Sequence, residues 1–255
     1  MGLVVSPNEL QVEIVLQSFL LGLNLASSPP QVGPIEVVLG QQNRVPEPPG
    51  PDFVVFTPVR RERLSTNLDN FQDCAFTGSI AGGVMTVTAV QSGAIVVGAP
   101  VYGPTVAAGT QVASFGTGAG GAGTYNVSPP QGVASGPLAA GTYSAEQDVE
   151  VTFQVDVHGP NASDNAQVIT TMMRDPYAVA AFAGALDQNN NPIVGVTPLY
   201  ASDPRQVPFV NAESQYEYRW VLEACVQANQ VVSGVPQQFA AAAKVVPISV
   251  EAAYH

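Results

Sequence analysis

Glu150-Val151-Thr152-Phe153-Gln154-Val155-Asp156-Val157 alternates without a fault. Val151, Phe153, Val155 and Val157 fall on one side of an extended chain, because successive Cβ atoms of a strand point to opposite faces. A β-strand seated on an apolar core therefore stands here, and the rest of the fold is read outward from it. Downstream, His158-Gly159-Pro160 turns the chain. Ser163 or Asn161 can then cap a helix carrying Ala166, Ile169, Met172 and Met173. Asp175 as cap and Pro176 in the first turn open a second short helix, through about Ala185. Asn189-Asn190-Asn191-Pro192 is a turn, and Val194 to Tyr200 reads as a strand.

The longest alternating run is Ser214 to Gln230, which at ~3.3 Å per residue reaches about 50 Å. Tyr216, Tyr218, Trp220, Leu222, Ala224 and Val226 share one face, and Gln215, Glu217, Arg219, Val221 and Glu223 the other. The three aromatics are expected to face the core. A reach of that size exceeds a small sheet, so part of the strand is expected to project or to pair with a neighbouring subunit. A closing strand runs from Lys244 to Ala252, where Pro247 favours an edge.

Upstream of Glu150 the composition changes. Between Gly78 and Ser144 there is no Asp, Glu, Lys or Arg, and Gly, Ala, Val, Thr and Ser dominate. Met85 to Val90 alternates, Gly93, Gly98, Gly103 and Gly109 punctuate short β runs, and Thr124 to Val127 is again β-like. The reading is a small all-β module over 77–143, inserted into a discontinuous α+β core made of 1–76 and 144–255. At the start, Ser6-Pro7-Asn8-Glu9 has the form of a capping box with Ser6 as cap. Leu10, Ile14, Val15, Phe19 and Leu20 follow at helical spacing, giving an amphipathic helix over 7–22. Strands at 35–39 and 52–57 come next, the second leading into Pro58 and Arg60, Arg61 and Arg63.

Charge narrows the function. Twenty acidic residues against eight basic ones give −12, and Lys244 is the single lysine. Charged residues make up 11% of the chain, against roughly 25% in ordinary domains. That suits turn-rich β-structure and wide subunit contacts, where charges would have to be desolvated. Gripping nucleic acid requires a basic patch, and only the three clustered arginines could supply one. DNA sliding past an acidic surface is compatible with this balance. Cys74 and Cys225 have no metal-ligand spacing and read as buried free thiols. No apolar run approaches the ~20 residues that span a membrane, and the N-terminus lacks the basic start of a secretory signal.

The chemical motifs dissolve on inspection. Gly116-x-Gly118-x-x-Gly121 matches the dinucleotide fingerprint, but Thr124-Tyr125-Asn126-Val127 continues as strand where the mechanism needs a helix. The Met1-Gly2 myristoylation pattern has no polybasic support. Asn126-Val127-Ser128 and Asn161-Ala162-Ser163 fit the glycosylation sequon but read as turn and capping chemistry. His158, alone in the chain's interior, has only Asp156 on its own strand face as a weak dyad partner. Glu146 with Asp148, and Glu217 with Glu223, read as solvated strand positions. No catalytic residue, cofactor site or metal site is expected.

Outside 77–143 the chain resembles the phage neck or tail terminator family. The likeness rests on Gln42-Asn43-Arg44-Val45-Pro46-Glu47-Pro48, Phe53 to Pro58, Arg60 to Asn67, Val155 to Ala162, Arg174-Asp175, Pro198 to Arg205 and Phe209 to Trp220. Together these span about 7–75 and 145–252. The module resembles a glycine-rich β unit that recurs in phage virion proteins, through Met85 to Val90, Ser92-Gly93, Gly109-Thr110 and Gly116 to Tyr125.

The resemblance implies an α+β subunit with a mainly antiparallel sheet and flanking helices. It implies a homo-oligomeric ring of six copies in the virion neck, assembled in the host cytoplasm, between the tail tube protein and the head–tail connector, with DNA passing through unbound. Within that picture Arg174, Arg205 and Arg219 are candidates to pair with Glu213 or Glu217, either across a subunit interface or as anchors of their own loops. A receptor- or glycan-binding decoration protein is the competing reading, and a cell-wall hydrolase a third; a stable ring would separate the first from the second.

Overall fold

A computed structural model describes residues 3–29, 33–41, 48–210 and 216–236. Packing divides the chain into two compact units, Met1–Leu3 with Asp69–Ser144 and Ser233–His255, and Val4–Leu68 with Ala145–Val232. The architecture is broadly α+β and rich in sheet, with three helices among the described residues.

The second unit begins with β1 (Val4–Ser6) and α1 (Glu9–Gly22). The capping box sits two residues later than expected. Asn8 Oδ1 accepts from the Gln11 N–H at 3.0 Å, and Gln11 Oε1 accepts from the Asn8 N–H at 2.9 Å. Ser6 ends β1 instead, so the helix starts at Glu9 rather than residue 7. Val12, Val15, Leu16, Phe19 and Leu20 are buried, whereas Leu10 is half exposed. After β2 (Glu36–Leu39) comes β3 (Phe53–Arg63), parallel to it. The strand passes straight through Pro58, where sequence suggested an end. A register shift between Pro58 and Arg60 absorbs the proline, which has no N–H to give to the ladder.

In the other unit lie β4 (Leu68–Ser92, entering from Asp69), β5 (Val101–Tyr102), β6 (Gln111–Phe115) and the first part of β7 (Gly123–His158). Its core gathers Cys74, Phe76, Ile80, Met85, Val87, Ile95, Val112 and Tyr125. Gly93 closes β4 at φ +70°, where an added Cβ would collide with the Asp73 carbonyl. The glycine-rich stretch between β6 and β7 is a loop leading into strand. Tyr125 Oη holds it by donating to Gly121 O at 2.5 Å and accepting from the Gly120 N–H at 3.0 Å.

The end of β7 returns to the second unit as the alternation required. Val151, Phe153, Val155 and Val157 are all buried, joined by Val54 and Phe56 of β3. β7 and β3 pair antiparallel from Phe53↔His158 to Arg63↔Val149. Next come α2 (Ala162–Met172) and α3 (Pro176–Ala183), the latter capped by Asp175 as expected. Asn161 precedes α2 but makes no side-chain cap; its amide is taken elsewhere. Phe19 of α1 meets Phe182 and Tyr177 at ring-centroid distances of 5.7 and 6.2 Å, locking α1 to α3.

Strands β8 (Val196–Ala201), β9 (Arg205–Gln206), β10 (Phe209–Val210), β11 (Tyr216–Glu217) and β12 (Arg219–Pro236) follow. Backbone pairing orders the main sheet β1-β12-β7-β3-β2, with β8 and β9 also on β12, and β10 with β11 forming a separate pair. β8 and β9 run antiparallel to β12. The long 214–230 run is thus interrupted at Tyr218. That residue is 62% exposed rather than core-facing, while Trp220 packs against the core and the side chain of Tyr216 lies outside the described residues. Leu222, Ala224 and Val226 are buried as one face, but Val221 and Cys225 of the other face are buried too. The expected strand from Lys244 to Ala252 lies outside the described residues.

Candidate functional site

The polar residues of the second unit converge where β7 turns into α2. Arg219, at the first position of β12, donates from Nε and Nη2 to Asp156 Oδ1 at 2.9 and 2.6 Å. Gln154 Nε2 donates to the other carboxylate oxygen at 2.9 Å. Both oxygens of Asp156 are therefore engaged by donors within the chain. His158 is buried and stacks on Phe53, with centroids 4.4 Å apart and planes 7° from parallel. Burial, then the Arg219 charge, lowers its pKa below the ordinary 6.5, against opposing pulls from Asp156 and Glu217. The imidazole, stacked on Phe53 and biased toward its neutral form, packs at the end of β7.

Beside it, Asp52 is fully buried and knits three segments together. Its oxygens accept from the Ser28 N–H at 2.7 Å, the Asn161 N–H at 2.9 Å and the Asn161 Nδ2 at 3.3 Å. Gly159, at φ +102°, lies so close to Pro51 and Asp52 that no Cβ could be placed there. Three of the buried polar residues, Asp52, Asp156 and His158, thus gather at the β7–α2 corner. Asp52 could not be singled out beforehand, because a lone carboxylate at the start of a strand carries no periodic signal.

The interface candidates fall in different places. Arg174 Nη2 donates to the Ala201 carbonyl at 2.7 Å, tying the end of α2 to β8. Arg205 is exposed in β9, its backbone registered with Val221. Arg219 is held by Asp156, a partner the sequence reading did not consider. Glu217 is half-buried in β11, and Glu213 lies outside the described residues. Two of the three clustered arginines are answered by acids: Arg60 meets Glu62 at 2.9 Å and Glu150 at 3.8 Å, and Arg61 meets Glu9 at 3.9 Å.

Both cysteines are buried and free, and burial pushes each thiol above its usual range. The Tyr200 hydroxyl, which reaches Glu150 at 3.3 Å, is pushed up to about 12, first by its hydrogen bond with Cys225. Neither group is activated as a nucleophile, since each is shifted toward its protonated form. Among the described residues no three His, Cys, Asp or Glu side chains converge as metal ligands, and no helix is long and apolar enough to cross a membrane.

No curated protein matches the chain significantly. A family model does: that of the phage neck terminator protein, over residues 116–251. The matched span opens in the glycine-rich loop and takes in β7, both α2 and α3, and β8 to β12, the elements that build the Asp156–Arg219 corner. Residues 7–75, over which the sequence also resembles that family, precede the span. More than half of the polypeptide is covered, and the family is a structural one of the bacteriophage virion neck: the chain belongs to the phage neck terminator protein family.

Proposed function

We propose that this protein acts without catalysis, as a ring of six copies that ends the tail tube and joins it to the head–tail connector. The family match over 116–251 carries the reading. Two features support it. Asp52, Asp156 and His158 are engaged in holding the β7–α2 corner. The chain also exposes apolar side chains, among them Val4, Val5, Val179, Leu186 and Val194, which a self-associating subunit can cover.

In this reading Arg174, Arg205, Glu213, Glu217 and Arg219 serve as loop anchors and contacts between copies. The tail tube protein and the connector are the partners, DNA passes through without specific binding, and assembly takes place in the host cytoplasm. Residues 77–143 form an uncharged module inserted into the core formed by 1–76 and 144–255, and it decorates the outside of the ring. The purified chain is expected to sediment at roughly six times its 26.4 kDa mass. The assembled form is expected to stop elongation when added to polymerising tube protein. A chain that stays monomeric at high concentration and leaves tube growth unchanged overturns the proposal.

A further inference from the structure

The main sheet ends in two strands of different character. In the order β1-β12-β7-β3-β2, β2 closes one end and β1 the other, and among the described residues no strand pairs with the outer side of either. On β2, Gly40 N–H donates to the Phe56 carbonyl at 2.8 Å, so by the two-residue alternation Val38 also faces β3. Val37 and Leu39 therefore direct their N–H and C=O groups away from the sheet. A side chain already stands where a strand's amide would: Gln17 Nε2 donates to the Val37 carbonyl at 2.9 Å. Along this edge runs a groove walled by Leu10, Glu13 and Ile14 of α1 and by Val37 and Leu39 of β2. Glu9 and Glu13 stand one helical turn apart, a repulsive spacing, and Arg61 lies 3.9 Å from Glu9. The groove is apolar, acidic and open on its strand side.

The other end carries no charge. Val4 and Val5 of β1 are 56% and 40% exposed, and Ser6 is exposed as well. Edge strands are usually blunted by a lysine, a proline or a bulge, and Val4–Ser6 contains neither lysine nor proline. Two copies can join such edges in three ways. Pairing β2 with β2 sets two acidic grooves against each other. Pairing β1 with β1 leaves both grooves open. Pairing β1 with β2 covers both kinds of edge and brings only uncharged side chains to Glu13.

We infer that β1 of one copy pairs beside β2 of the next, continuing the sheet from subunit to subunit with Val5 opposite Val38. This rests on the ring reading, and it names the contact that closes the ring, because one patch meets a different patch on the neighbouring copy. Val37 and Leu39 pack on the α1 side of β2. In this register Val4 and Ser6 join them there, while Val5 meets Val38 on the opposite face. Either strand direction keeps that central pair. Three residues bury too little area to hold a ring by themselves; the seam sets which surfaces of two copies meet. The pairing cannot form within one copy, since four strand spacings of ~4.8 Å place β1 about 19 Å from β2.

That separation makes the test direct. Full-length protein carrying Val5→Cys and Val38→Cys together is assembled, oxidised with copper phenanthroline and run on a denaturing gel without reductant. Opposed residues of paired strands have Cα atoms about 4.5–5.5 Å apart, inside the range a disulfide spans. Cys74 and Cys225 are buried, and unaltered protein oxidised alongside gives their background. The expected result is a ladder of linked chains rising to the size of the ring. Each single variant should stay unlinked alone, and the two single variants mixed should give dimers only. Self-linking of either single variant, or assembled double variant without a ladder, overturns the seam and leaves the ring reading standing. Failure of unaltered protein to assemble at all overturns both. As a second readout, Val4→Glu is expected to raise the assembly midpoint concentration about tenfold by sedimentation, because it sets like charges together across the seam. Val97→Glu, which adds the same charge at an exposed position of the other unit, should barely move it. Equal shifts in the two also overturn the seam. Circular dichroism of each variant separates lost assembly from lost folding.

Discussion

At the scale of single residues, the Asp156–Arg219 pair is the part of the site with the largest consequence for stability. Asp156 is buried and Arg219 about three-quarters so, and the two are joined by two short charge-assisted hydrogen bonds. Removing one member of such a pair strands the other in a poorly solvated position, which costs about 3 kcal/mol or more. Arg219→Ala is therefore expected to lower the urea midpoint sharply, and Asp156→Asn in the same chain to recover part of the loss. Equal midpoints for Arg219→Ala and the unaltered chain would show the pair to be solvated. His158 adds a pH dependence whose sign follows from its lowered pKa. The folded state holds the imidazole neutral more strongly than the unfolded chain does. Its contribution is then complete above about 6.5 and is lost as pH falls toward the lower folded value. NMR titration should place the His158 transition below that of an unfolded-peptide imidazole. His158→Phe, which keeps a ring against Phe53, should flatten this part of the stability profile. Asp156 beside His158 and Arg219 as a pairing candidate were legible beforehand, but their partnership was not: they are 63 positions apart, and only the register of β12 beside β7 brings them together.

Elements were read more successfully than contacts, and the reasons are specific. Val151, Phe153, Val155 and Val157 announced their strand because the pleat repeats every two residues. Asp175-Pro176 announced α3 because a side-chain acceptor followed by a residue without an N–H suits a helix start. The same logic misplaced the start of α1. Ser6 and Asn8 are both good caps, and the choice was made by β1, which pairs with β12 and holds Ser6 extended. Asn8→Ala should therefore cost about 1 kcal/mol, read from the thermal or urea midpoint, while Ser6→Ala should be close to neutral. The reverse result would return the cap to Ser6. Pro58 misled because a bulge can carry a proline inside a strand, and bulges leave no periodic trace. Tyr218 misled for a related reason. It belongs to the alternation of its neighbours, but β11 ends before it and β12 begins after it, so its side chain is released to solvent.

At the scale of the whole molecule, charge is distributed in a way that bears on assembly. Residues 79–143 carry none, so the excess of acid falls on the remaining sequence, and Arg60 and Arg61 stand beside carboxylates. Copies of a −12 chain repel one another, and apolar contact must outweigh that repulsion for them to close into a ring. The repulsion is long-ranged at low ionic strength, where the Debye length is about 30 Å near 0.01 M, and is cut back to about 8 Å near 0.15 M. Exposed ion pairs between copies oppose this only weakly, since each contributes roughly 0–1 kcal/mol. Salt should therefore promote assembly: sedimentation is expected to show a lower midpoint concentration at 0.3 M than at 0.02 M sodium chloride. Duplex DNA should not co-sediment at either. DNA gripped through its phosphates is released steeply as salt rises, so co-sedimentation at low salt that vanishes at high salt would reveal a basic surface within the assembly. Dissociation of the protein itself by salt would show instead that complementary charges dominate the contact between copies.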